Sequence, residues 1–156
     1  MAGITAPQSL KIEGHIKKKK VIVLIDSGST HNFIHSKVAK ELNCFLYPTP
    51  ECQVMVANGG TINCFGKCHN INLTMGEYVL NSTMLSIPMV GVDVVLGVQW
   101  LQSLGMVAFI FQEFFLNFFS EGKEIELRGI KGVITKIVLD WLLIRQLQCN
   151  SFKPIF

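Results

Sequence analysis

Val21-Ile22-Val23-Leu24-Ile25 is a continuous, largely β-branched run, and it stops abruptly at Asp26-Ser27-Gly28-Ser29-Thr30. An aspartate at the end of a buried strand stands on a low-dielectric floor, and Gly28 lets the backbone fold close around it. Two such carboxylates set face to face cannot both ionise, so they share one proton and titrate as a coupled pair. One then takes a proton from a water that attacks a peptide carbonyl. The other hydrogen-bonds the developing oxyanion and later protonates the amine. This hydrolysis needs no metal and no covalent intermediate, so no cofactor is expected. A bare Asp-Ser-Gly is equally what a turn or helix N-cap looks like, so its flanking elements decide between the two readings. The remaining aspartates, Asp93 and Asp140, are not followed by Ser/Thr-Gly. The second carboxylate must therefore come from another chain, and a two-fold axis pairing one Asp26 from each of two copies supplies it.

The elements that must position Asp26 can be read on either side of it. Residues 9–16 alternate apolar and polar as a half-buried strand does, and Lys17–Lys20 reads as the solvated turn into a strand at 21–25 buried on both faces. Ile34, Val38 and Leu42 recur every fourth position and predict a short helix over 32–42. A strand at 53–57, the tight turn Asn58-Gly59-Gly60 and a return strand over 61–73 follow. Further strands are expected at 78–87 and 93–97, then a brief helix at 98–104 stopped by Gly105. Strand-like sequence runs on to Arg128, with a hairpin turn at Glu121-Gly122. Many short strands with two short helices make an all-β domain, closed or sandwiched. Residues 1–8 are expected to be a linker, 9–129 the domain and 130–156 an appendage.

Composition narrows the function classes. The 156 residues are 49% hydrophobic and only 16% charged, which is ample for one core and leaves less polar cover than a lone monomer usually carries. That favours a partner surface. Net charge is +3, with much of it in the lysine run, so a nucleic-acid partner is disfavoured. The apolar stretches 106–119 and 133–144 are too short to span a membrane and carry Glu113, Lys136 and Asp140. MAGITAPQSLKIEG has no basic start followed by an apolar run, so the chain is expected inside the cell, in the cytoplasm, with Cys44, Cys52, Cys64, Cys68 and Cys149 as thiols. His31, His35, Cys64, Cys68 and His69 lack the paired spacing of a zinc site, so no metal is expected.

VIVLIDSGSTHNFI, QVMVANGGTINCFG and DVVLGVQWLQSLG, in that order, resemble the protease domain of plant Ty3/gypsy-type retrotransposon polyproteins, members of the retropepsin-like clan. The resemblance covers about residues 9–129. It implies a retropepsin-like acid protease fold forming half of a two-fold symmetric homodimer, an aspartic endopeptidase acting on extended polypeptide, originally its own polyprotein. Asp26 matches the catalytic aspartate, Ser27 the hydroxyl residue bracing the two loops across the dimer, and Gly28 the loop glycine. Ser29 would stand beside the carboxylate, with Thr30 completing the loop. Val56, Ala57, Asn58, Gly59 and Gly60 match a flap that closes over the substrate. Val95, Leu96 and Gly97 match the hydrophobic-hydrophobic-glycine motif behind the loop. Where relatives carry a Trp-Asp-Phe-like triplet, this chain has Phe109-Ile110-Phe111. A rival reading is a non-catalytic retroelement-derived module for dimerisation or peptide binding.

Overall fold

Strand β1 (Ser9–Ile16) and strand β2 (Lys19–Asp26) form an antiparallel hairpin from Ser9 opposite Asp26 to Ile16 opposite Lys19. Lys17 takes φ 56° at the bend, and Lys19 and Lys20 reach outward to Glu41 and Glu13 at 3.0 and 3.2 Å. The solvated turn is thus Lys17-Lys18 alone, and Lys19 and Lys20 already pair in β2, two residues earlier than the strand expected at 21–25. The chain is seen in a computed structural model that describes residues 9–49, 52–55, 59–110, 112–130 and 148–149. Flap positions Val56, Ala57 and Asn58, residue Phe111, the linker 1–8 and most of the appendage lie outside the described residues.

After the Asp26 loop the structure departs from the expected helix over 32–42. Phe33–His35 is a strand (β3), and helix α1 spans only Ser36–Glu41. Phe33 and Ile34 are both fully buried and belong to different core clusters on opposite faces. That arrangement needs the period of two of a strand, and their packing overrides the spacing that suggested a helix. Strands β4 (Gln53–Met55) and β5 (Thr61–Asn63) pair as a short hairpin. The return strand expected over 61–73 is broken after β5, and β6 (Gly66–Met75) begins a new sheet. Gly66 makes the break, with φ 141° and the Tyr47 carbonyl oxygen 2.8 Å from where a Cβ would sit.

Strand β7 (Tyr78–Ile87) pairs back on β6, β8 spans Val94–Leu96, and α2 spans Val98–Ser103. Six strands close a barrel in the order β1-β2-β8-β3-β7-β6. Two of its contacts are parallel, β2 with β8 and β3 with β7. The β2, β8, β3 and β7 wall is buried on both sides. Val23, Ile25, Ile34, Met84, Val94 and Leu96 face one cluster, and Leu24, Phe33, Leu85, Ile87 and Val95 the other. Such double burial is why β2 reads as an uninterrupted apolar run.

Strands β9 (Val107–Ile110), β10 (Phe115–Ser120) and β11 (Lys123–Arg128) form a second sheet, with Glu121 and Gly122 at φ 52° and 75° in the tight turn expected there. Leu116, Phe118, Ile125 and Leu127 turn inward onto the first cluster. Phe118 meets the rings of Tyr78 and Trp100 edge-on at 5.2 and 5.9 Å, and the Trp100 indole N–H donates to the Tyr78 hydroxyl at 3.0 Å. A two-residue strand β12 (Gln148–Cys149) pairs antiparallel with β4, giving a third sheet ordered β12-β4-β5.

Candidate active site

Asp26 is the last residue of β2 and is 1% exposed. Its loop turns back on it at once. Gly28 N–H donates to Oδ1 at 2.9 Å, Ser29 Oγ donates to Oδ2 at 3.2 Å, and Ser29 N–H donates to the Asp26 carbonyl at 3.2 Å. Both carboxyl oxygens therefore accept from the loop that follows them, as a buried polar group requires. Ser29 is itself fully buried.

The loop is held from behind by the start of α2. Val98 N–H donates to the Ser29 carbonyl at 2.7 Å, and Gln99 N–H donates to that of Thr30 at 3.1 Å. Val95 and Leu96 lie beside Leu24 and Ile25 in parallel register, which carries the chain to Gly97 against the loop. A Cβ on Gly97 would come within 2.6 Å of the His31 carbonyl oxygen and closer still to that of Ser29. Its φ of −102° is ordinary, so the glycine is there for space.

Asn32 does as much and was not singled out by its sequence context. It is buried at 3%. Its Oδ1 accepts from Gly97 N–H at 3.1 Å, its Nδ2 donates to Ser82 Oγ at 2.9 Å, and its carbonyl accepts from Leu85 N–H at 2.9 Å. One amide thus ties the loop to both β7 and α2, a task for a side chain that donates and accepts together. The one available signal was a polar residue between the loop and the apolar pair Phe33-Ile34.

Of the other expected site residues, Ser27 and Gly28 are half-buried at the loop, and Thr30 Oγ1 lies 2.8 Å from His31 Nδ1. Burial, reinforced by the positive charge of Lys67, lowers the His31 pKa and favours its neutral ring. Gly59 and Gly60 are exposed at the end of the β4–β5 hairpin, with Gly59 at φ 89°. The base of that hairpin, Val54 and Cys52, is buried in one cluster with Leu24, Phe33 and Val95. The hairpin therefore stands on the layer that carries the Asp26 loop.

Asp93 offers no second catalytic carboxylate, because its Oδ2 accepts from Ile22 N–H at 2.8 Å and extends the β2 ladder. Asp140 lies outside the described residues. Among the described residues no cluster of three His, Cys, Asp or Glu could hold a metal ion. Burial pushes the Cys68 thiol up to about 12, His69 Nδ1 lies 2.9 Å from Thr83 Oγ1, and His35 Nδ1 accepts from Lys37 N–H in capping α1. A hollow of about 910 Å³ beside α1, lined by Lys37, Lys40, Cys44, Phe45 and Phe65 among others, touches none of the Asp26 loop.

Residues 22–105 match the model of the PEG10/RTL1 protease domain, over more than half of the sequence. This chain belongs to the PEG10/RTL1 protease domain family. The matched stretch opens in β2 and closes just after α2, so this PEG10/RTL1-type unit contains the Asp26 loop, the β4–β5 hairpin and the Gly97 backing whole. The chain is also similar in structure to the retroviral protease-like domain of Ddi1 from Leishmania major, with a TM-score of 0.61. The two are 14% identical, and the match covers 80% of this chain and 95% of that one. At that identity the likeness speaks for the fold alone, which is retropepsin-like. No curated protein sequence matches the chain significantly.

Proposed function

We propose that this chain is one half of a homodimeric aspartic endopeptidase in which the Asp26 carboxylates of two copies activate the attacking water. The observation that carries this reading is the holding of Asp26. It is buried at a strand end, gripped at both oxygens by Gly28 N–H and Ser29 Oγ, and backed by Gly97. Such fixed geometry suits a carboxylate that must receive and return a proton without moving. Asp93 is committed to the β2 ladder, so the partner carboxylate comes from a second copy, with Ser27 bracing the two loops. Exposed Met106, Phe119, Phe45 and Phe65 are apolar surface in keeping with a partner.

In the dimer one Asp26 is protonated and the other is not. The ionised member deprotonates the water as it attacks the peptide carbonyl. The protonated member donates to the developing oxyanion, and its proton then passes to the leaving amine. The substrate is an extended polypeptide, with Val56, Ala57, Asn58, Gly59 and Gly60 proposed as the flap that covers it. The motifs around Asp26, Gly59 and Gly97 support an origin in a plant Ty3/gypsy-type polyprotein that the enzyme processed, with residues 9–129 as the protease unit. Free thiols at Cys44, Cys52, Cys64 and Cys68 suit a reducing, intracellular compartment.

The test is cleavage of a mixed peptide library at mildly acidic pH, with and without a pepstatin-type inhibitor. Asp26→Asn is expected to lower cleavage by about a hundredfold or more while leaving the dimer mass unchanged. Equal cleavage by mutant and wild type would sink the mechanism. A folded wild-type dimer that cleaves nothing would leave a non-catalytic dimerisation or peptide-binding module as the better reading.

A further inference from the structure

The β4–β5 hairpin has an occupant of its own. Strand β4 has two edges. One pairs with β5, and the other is filled by β12, with Gln148 opposite Met55 and Cys149 opposite Val54. The strand is rigidly seated, because Val54 is fully buried and packs in one cluster with Leu24 and Val95, each two residues short of Asp26 and Gly97. By contrast, β5 has exposed Thr61 and Asn63. The edge of this hairpin that is anchored to the layer bearing the Asp26 loop is therefore the one on β4. A strand edge offers backbone N–H and C=O groups to any extended chain, with little demand on its sequence. A two-residue ladder is also too short to hold firmly by itself.

We propose that Gln148–Cys149 is a built-in, displaceable occupant of the β4 edge, and that an incoming extended polypeptide binds by adding a strand at that same edge. The two compete for the same backbone groups, so the chain restrains its own substrate site. This inference rests on reading the hairpin as the substrate cover, and its test needs binding alone, not cleavage.

Two measurements on the full chain decide it. Gln148→Pro with Cys149→Pro removes both backbone donors of β12. A labelled synthetic peptide with the sequence of residues 145–152 carrying Cys149→Ser, which removes its thiol, is expected to bind this variant about fivefold or more tightly than wild type, because the edge is no longer occupied. In a separate variant, Met55→Cys with Gln148→Cys, residues directly opposite across an antiparallel pair are close enough for a disulfide. Oxidised glutathione is expected to close it within one chain, being itself reduced, and peptide mapping by mass spectrometry identifies the bond. The bridged form should bind the peptide more weakly than the same protein after reduction. Equal peptide affinity with and without the prolines, or an introduced bridge that forms only between chains, overturns the proposal. Failure of Asp26→Asn to affect cleavage would instead overturn the protease reading and leave this binding result standing.

Discussion

Gly97 and Asn32 share the work of holding the Asp26 loop, one by leaving space and the other by filling it with hydrogen bonds. Gly97→Ala puts a methyl group within 2.6 Å of the His31 carbonyl oxygen, and backbone on that side has no flexible end to give way. It is expected to cost about 1–3 kcal/mol, as overpacking usually does, read as a fall in the urea midpoint. Asn32→Ala opens no clash but leaves Gly97 N–H without its acceptor, while the half-buried Ser82 Oγ keeps its bond to the Thr83 carbonyl. The expected loss is about 1–3 kcal/mol, the usual cost of a stranded buried polar group. Asn32→Asp retains the acceptor for Gly97 but buries a carboxylate where the donor to Ser82 stood, so it should cost at least as much as Asn32→Ala. If all three variants unfold at the wild-type midpoint, neither residue supports the loop.

Among the elements, the β9-β10-β11 sheet is fastened to the barrel by Leu116, Phe118, Ile125 and Leu127, and of these Phe118 is 1% exposed and touches both Tyr78 and Trp100. Phe118→Ala is expected to destabilise the fold by about 3–5 kcal/mol, measured by urea unfolding, because the cavity it leaves is walled by large rigid rings. How far such elements could be read in advance depended on where their partners lie. The β1–β2 hairpin was legible because its alternation, its lysine turn and its double-sided apolar run are all local. The tight turn at Glu121-Gly122 was legible for the same reason. Strand β3 was not, since three residues carry no measurable period and Ile34 also fits a helical spacing with Val38 and Leu42. The break at Gly66 was hidden too, because only the approach of Tyr47 from a distant loop imposes it. At the site, Asp26, Ser29 and Gly97 stood out by motif, whereas Asn32 acts through Ser82 and Gly97, and nothing in its neighbourhood in the sequence points to either.

At the scale of the whole molecule, the proposed reaction belongs to a pair of chains, and mixing tests that directly. If each working site needs two intact Asp26 residues, random association of equal amounts of wild type and Asp26→Asn leaves about one quarter of the activity of undiluted wild type. A fall to about one half, measured at fixed total chain and after time for exchange, would mean that each chain works alone. The barrel also sets an order of events. The groups that back the Asp26 strand and loop come from far along the chain. Ile22 bonds to Asp93 across 71 residues, and Asn32 bonds to Gly97 across 65. Contacts of such long separation form late, after a large loop has closed. During synthesis, a ribosome that has released β1, β2 and α1 has made Asp26 and the Gly28 and Ser29 groups that grip it, but not the Gly97 and α2 backing that holds their loop. The nascent chain therefore carries that loop without its backing until α2 has emerged, so under the proposed function it gains no cutting power before then.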